Sequence, residues 1–138
     1  MEETSAGAII FRETNQGRLY LLLNYPSGHW DFVKGKMEKG ESPHETVVRE
    51  AKEETGIDDL EFMDSFREEI KYDFQFEGEL IHKTVIFYLA KTNLEKIIIS
   101  HEHLDFLWQD YNNALKKTTY ENAKNILTKA ENLLSKTL

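Results

Sequence analysis

Carboxylates recur at close spacing between Gly35 and Ile57, in the run GKMEKGESPHETVVREAKEETGI. Glu50, Glu53 and Glu54 stand three and four residues apart, so a helix would bring them onto one stripe. Three like charges at that spacing repel and call for a compensating cation. A hard divalent ion with oxygen ligands, Mg²⁺ or Mn²⁺, suits them. Arg49 has Glu45 and Glu53 one turn away on either side, where it can pair with them and hold a glutamate in position. Taken alone, an acidic helix face is also what an ordinary solvated helix shows.

The helix that must position these groups is well marked. Ser42 is an N-cap candidate, Pro43 takes the first helical position, and Glu45 follows the serine by three residues, which makes a capping box. Gly56 supplies the stop, because glycine enters a left-handed cap without strain. The expected helix runs from Pro43 to Thr55, with Val47, Val48 and Ala51 on the stripe that packs against a sheet.

Gly35, Glu41, Arg49, Glu50, Glu53, Glu54, Gly56 and Ile57 match every fixed position of the Nudix box, G-x5-E-x7-R-E-U-x-E-E-x-G-U. Ala51 stands where a larger aliphatic residue is usual. The chain therefore resembles the Nudix hydrolases over nearly its whole length. The resemblance implies an α/β protein, an α/β/α sandwich with a mixed sheet between helices. Sequence pattern by itself shows only one alternating α/β domain, 1–138.

Composition limits the alternatives. With 40% hydrophobic and 30% charged residues, the chain is expected to be a soluble domain with a true core. No apolar run suits a membrane span, and MEETSAGAII lacks the basic and apolar regions of a signal peptide. The absence of cysteine excludes disulfides and thiolate chemistry and fits a cytoplasmic setting. A net charge of −8 argues against general nucleic-acid binding, although metal ions can bridge an acidic protein to a polyphosphate.

In chain order, Ser5–Arg12 and Leu19–Asn24 read as two strands of a central hairpin around the turn Asn15-Gln16-Gly17. Leu60–Phe74 and Leu80–Ala90 read as a long hairpin that offers Tyr72, Phe74, Phe76, Lys83 and Tyr88 to a ligand. Ile97–Ile99 and Leu104–Gln109 read as further strands. Asp110 caps a short helix, Tyr111–Lys117, and a last amphipathic helix runs from Thr119 to about Ser135. Phe32 is expected in the core.

The resemblance extends to a subfamily, the asymmetrical diadenosine tetraphosphate hydrolases. It rests on SAGAIIFR, LLLN, His29-Trp30, KTVIFYLA and Ser100-His101-Glu102-His103. By this resemblance Glu102 joins Glu50, Glu53 and Glu54 as a metal-site carboxylate. Lys34 and Lys83 contact phosphate, Tyr72 and Tyr120 stack on adenine, and His29 and Trp30 belong to the substrate site. In the family the segment before the box is commonly W-x-x-P-K-G; here Val33 replaces the proline. Read as metal ligands instead, His101 and His103 are a weak zinc signal without further donors.

The implied chemistry is metal-assisted hydrolysis of a phosphoanhydride, with Arg49, Glu53 and Glu54 assigned to catalysis and Glu53 or Glu54 as the base. For diadenosine tetraphosphate the products are ATP and AMP, and the chain is expected to act as a monomer on a small-molecule nucleotide. Other Nudix activities share the box: nucleoside triphosphate clean-up, ADP-ribose hydrolysis and removal of pyrophosphate from RNA ends. A non-catalytic nucleotide-binding module is the reading from another class, but such modules usually lose box carboxylates, which this chain keeps.

Overall fold

The computed structural model describes residues 1–136. Its elements are β1 (Glu2–Thr14), β2 (Gly17–Asn24), β3 (Trp30–Asp31), β4 (Val33–Lys36), α1 (Pro43–Thr55), β5 (Glu61–Phe76), β6 (Glu79–Lys91), β7 (Asp105–Gln109), α2 (Tyr111–Lys117) and α3 (Glu121–Ser135).

β1 is the spine of the sheet. It is apolar from Ala6 to Phe11 and buried on both faces, which suits a strand covered by helices on two sides. The sheet order is β3-β2-β1-β6-β5, with β4 on β1 and β7 on β2. β1 pairs with β6 in parallel and with β2 and β4 antiparallel, so the sheet is mixed. Period-two alternation along the strands then builds two cores. Ile9, Phe11, Tyr20, Leu22 and Phe87 face α2 and α3, while Ala6, Ala8, Ile10, Leu21 and Leu23 face α1. The α/β/α sandwich follows directly.

Several expectations need correction. Ile97–Ile99 does not form a strand: residues 92–104 carry no helix or strand. The β-branched run still alternates, with Ile97 buried and Ile98 exposed, but its backbone bonds the end of α1 instead of a strand. Ile98 N–H donates to the Thr55 carbonyl at 3.1 Å, and Ser100 N–H to the Glu54 carbonyl at 3.1 Å. These are helix-end acceptors with no partner inside the helix. Val48 is 48% exposed and so falls off the packing stripe, whereas Val47 and Ala51 are fully buried. Tyr88 turns to the α1 side, where it stacks on His44, because residues 83, 85 and 87 take the other face. The long β5–β6 hairpin is irregular between Phe62 and Arg67. The short strands β3 and β4 went unread, since neither is long enough to show a period.

Candidate functional site

α1 forms as its sequence dictates. Ser42 Oγ accepts from Glu45 N–H at 3.2 Å, Glu45 Oε1 accepts from Ser42 N–H at 2.8 Å, and Pro43 starts the helix. Gly56 closes it at φ 79°, a conformation that strains any side chain.

Arg49 organises the acidic cluster. Its guanidinium reaches Glu41 Oε2 at 2.7 Å, Glu50 Oε1 at 2.8 Å and Glu53 Oε2 at 3.4 Å, and it donates to the Lys36 carbonyl at 3.0 Å. Glu45 is taken by the capping box, so the expected Arg49–Glu45 pair gives way to Arg49–Glu41. The Arg49 hydrogen bond, aided by the Glu38 backbone, holds the Glu41 carboxyl down at about 2. Glu41 thereby anchors the loop before α1 and takes no place among the cation's donors.

Gly35 has a steric reason. A Cβ there would stand 2.1 Å from the Glu50 carboxyl carbon. The Glu50 carboxylate lies against the bare backbone of β4, and only glycine permits it.

Glu54 sits deepest, 3% exposed, with Oε1 buried and lacking a hydrogen-bond partner. Burial pushes its carboxyl strongly upward, the Glu50 carboxyl beside it adds by side-chain hydrogen bonding and by charge, and the charges of Glu102 and Glu53 add further. Glu53 and Glu102 are exposed. Among the described residues, no group of three or more carboxylates or imidazoles is already arranged to hold an ion, because Arg49 draws Glu50 and Glu53 toward itself. The donor set nevertheless fits a hard divalent cation. It is all oxygen, it is excessively negative, and Glu54 brings to it a carboxylate buried to 3% exposure. Glu50, Glu53, Glu54 and Glu102 are the side chains that would hold it once Glu50 and Glu53 rotate from Arg49.

On the opposite face of the sheet lies a cavity of ≈ 620 Å³, a size suited to a nucleotide. Its floor is Val85, Phe87 and Ile70, and its walls include Tyr72 on β5 and Tyr120 at the N-cap of α3. Lys34 and His29 also line it. Two hydrogen bonds fix Tyr120 beside His29: Trp30 N–H donates to Thr119 Oγ1 at 2.8 Å, and Thr119 N–H to the Trp30 carbonyl at 3.2 Å. The Tyr120 and His29 rings are then 5.2 Å apart. Tyr72 and Tyr120 are 43% and 51% exposed, which is unusual for large aromatics and leaves their faces free to stack.

Trp30 and Lys83, expected at the substrate, lie outside this lining, as do Phe74, Phe76 and Tyr88 of the long hairpin. The Trp30 ring packs on the core beside α3, with Lys117 4.8 Å above its centroid. Lys83 sits next to Tyr72 in register but is 8% exposed and binds Glu3 Oε1 at 2.5 Å. That contact, with the Lys36 charge nearby, lowers the Glu3 carboxyl. Lys34 in the cavity is paired with Asp31 at 3.1 Å.

Sequence reasoning passed over Tyr25, which joins the two halves of the site. Its ring stacks on His29 at 4.7 Å and meets His103 edge-on at 4.7 Å, while its hydroxyl donates to the Phe32 carbonyl at 2.5 Å. Burial raises its hydroxyl well above the ordinary tyrosine range, and Glu54 is the next cause. A tyrosine beside Pro26 in a turn carries no motif signal. His101 is exposed and His103 buried, so they form no pair for zinc.

Comparison with known proteins agrees with this geometry. The NUDIX domain family matches residues 1–130. A bis(5′-nucleosyl)-tetraphosphatase (asymmetrical) of Caenorhabditis elegans is 30% identical over 91% of both chains, and that of Sus scrofa 33% identical over 94% of both. The crystal structure of a C. elegans Ap4A hydrolase binary complex superposes with a TM-score of 0.85 at 30% identity, covering 96% of this chain and 98% of that one. The structure of the E. coli dihydroneopterin triphosphate pyrophosphohydrolase, at 19% identity and a TM-score of 0.76 over 91% of this chain and 92% of that one, shares the fold. The chain belongs to the NUDIX family, and it is a Nudix hydrolase.

Proposed function

We propose that the protein hydrolyses diadenosine tetraphosphate asymmetrically, to ATP and AMP, using Mg²⁺ held by Glu50, Glu53, Glu54 and Glu102. The observation that carries this reading is Tyr25, which lines the aromatic cavity and stacks on His29 while its ring also meets His103, 3.3 Å from Glu54. Full-length similarity to proteins named for this activity supports it.

In this reading one adenine enters between Tyr72 and Tyr120 with His29 at its edge. Such stacking contributes about 1–3 kcal/mol per base. Lys34 turns from Asp31 to phosphate and offsets charge as it develops there. When bound, the divalent cations neutralise phosphate oxygens and acidify a water molecule. Glu53 or Glu54 takes that water's proton as its oxygen bonds to phosphorus and the phosphoanhydride P–O bond breaks. Arg49 holds Glu50 and Glu53 until a cation takes their oxygens, and it stays tied to Glu41 and to the Lys36 carbonyl of β4. Lys83 acts at the phosphates only by leaving Glu3.

The active unit in this proposal is a monomer of one domain, 1–138, working in the cytoplasm on a small nucleotide. Residues 137 and 138 lie outside the described structure. No helix among the described residues is long and apolar enough to cross a membrane.

The test is chromatographic product analysis with Mg²⁺ and diadenosine tetraphosphate, run beside dGTP, ADP-ribose and 5′-triphosphate RNA. ATP plus AMP at the highest kcat/KM of the four supports the proposal. Preferred turnover of another substrate would retain the box chemistry and overturn the specificity.

A further inference from the structure

His103 is buried at the floor of the carboxylate cluster, and nothing in the chemistry described so far uses it. Its side chain is 2% exposed, and its Nε2 lies 3.3 Å from Glu54 Oε1, on a side chain 4% exposed. Neither atom has a hydrogen-bond partner. A buried donor and a buried acceptor left unpaired are each costly, so two such atoms in contact are natural mates.

The rest of the ring is already fixed. Ser100 Oγ is 3.3 Å from Nδ1, and Tyr25 packs its ring edge-on at 4.7 Å. The loop itself is pinned at both ends. Ser100 N–H bonds the carbonyl of Glu54, and Leu104 N–H bonds the carbonyl of Asn24. With Ser100 at Nδ1 and Glu54 at Nε2, the imidazole has no nitrogen left for an ion. It is a partner for a ligand, and it is not itself a ligand.

We infer that His103 is a positioning residue for Glu54: its Nε2–H holds Oε1 and leaves Oε2 as the oxygen presented to a cation. This rests on reading the α1 carboxylates as the cation site. The hydrogen bond fixes the carboxylate's rotation about its last torsion. An outer partner of this kind typically changes metal affinity about 10- to 100-fold.

The experiment is Mn²⁺ binding to the full chain by electron paramagnetic resonance, without substrate. The proteins are wild type, Glu50→Gln, Glu54→Gln, His103→Ala, His103→Gln and the Glu54→Gln/His103→Ala double variant, with circular dichroism melts for each. His103→Ala is expected to weaken Mn²⁺ about 10- to 100-fold, and His103→Gln, which keeps an N–H donor, to recover most of it. In the double variant the His103 effect is expected to vanish, since the group it positions is gone. Wild-type affinity in His103→Ala, no recovery in His103→Gln, or additive losses in the double variant would overturn the inference. Undiminished binding in Glu50→Gln and Glu54→Gln would show instead that the carboxylates are not the cation site, and the inference would fall with that reading.

Discussion

The carboxylate helix and the aromatic cavity are built in opposite ways. The carboxylates of α1 come from one short run, and Glu50 and Glu53 are held by Arg49 of that same run. Arg49 ties Glu41, Glu50 and Glu53, and Gly35 admits Glu50. The cavity takes Tyr25 and His29 from the β2–β3 turn, Tyr72 from β5 and Tyr120 from the start of α3. Tyr72 and Tyr120 are exposed, whereas Glu54 is sealed. Bond cleavage asks for fixed geometry, which local sequence can supply. Recognition of a base asks for a surface, and the fold assembles that from distant parts. Chemistry and selection should therefore be separable by mutation.

The largest separation is expected from Glu54→Gln. It keeps the shape of the side chain and removes its charge, so turnover should fall about 10²- to 10⁴-fold with nucleotide affinity largely kept. Steady-state kinetics beside calorimetric titration with nucleotide check this. Gly35→Ala comes next. Its Cβ would stand 2.1 Å from the Glu50 carboxyl carbon, so the carboxylate must move. A displacement of that order costs about 10²-fold in rate, and a crystal structure of the variant would show Glu50 turned away. Tyr120→Ala should act on the other region alone. Loss of one stacked base is worth about 1–3 kcal/mol, which raises KM about 5- to 150-fold and leaves kcat near wild type.

The smallest effect concerns the anchor between the loop and α1. Glu41 is held at about 2, below its ordinary value of 4.5. A depressed carboxyl stabilises the fold above its unfolded value, and the contribution disappears as the pH falls from about 4.5 to about 2. Glu41→Gln should flatten the acid limb of the denaturation curve in that window and lower stability slightly at neutral pH. Urea unfolding at stepped pH measures it.

The two regions were also unequally legible. Ser42, Pro43, Glu45 and Gly56 state the helix by local chemistry, and the structure reproduces Pro43–Thr55 to the residue. The long hairpin and α2 were readable for the same reason, since period and caps are short-range. Ile97–Ile99 misled because β-branched residues fit a strand and also fit an alternating strap laid on a helix end. Tyr25 and His103 were invisible in their roles. Their partners, His29 and Ser100 apart, lie on other elements, and only tertiary packing makes them neighbours. Lys83 shows the same limit from the other side, since its position in β6 was clear but Glu3 as its partner was not.

In the proposed function α1 performs the chemistry and the aromatic cavity the selection. Its most direct test is the single-turnover rate of Tyr120→Ala and Glu54→Gln on diadenosine tetraphosphate, measured up to saturating enzyme with Mg²⁺ in excess. Tyr120→Ala should regain the wild-type rate at saturation, while Glu54→Gln should stay slow at every concentration. A Tyr120→Ala enzyme that remains slow when saturated, or a Glu54→Gln enzyme that recovers, would contradict it.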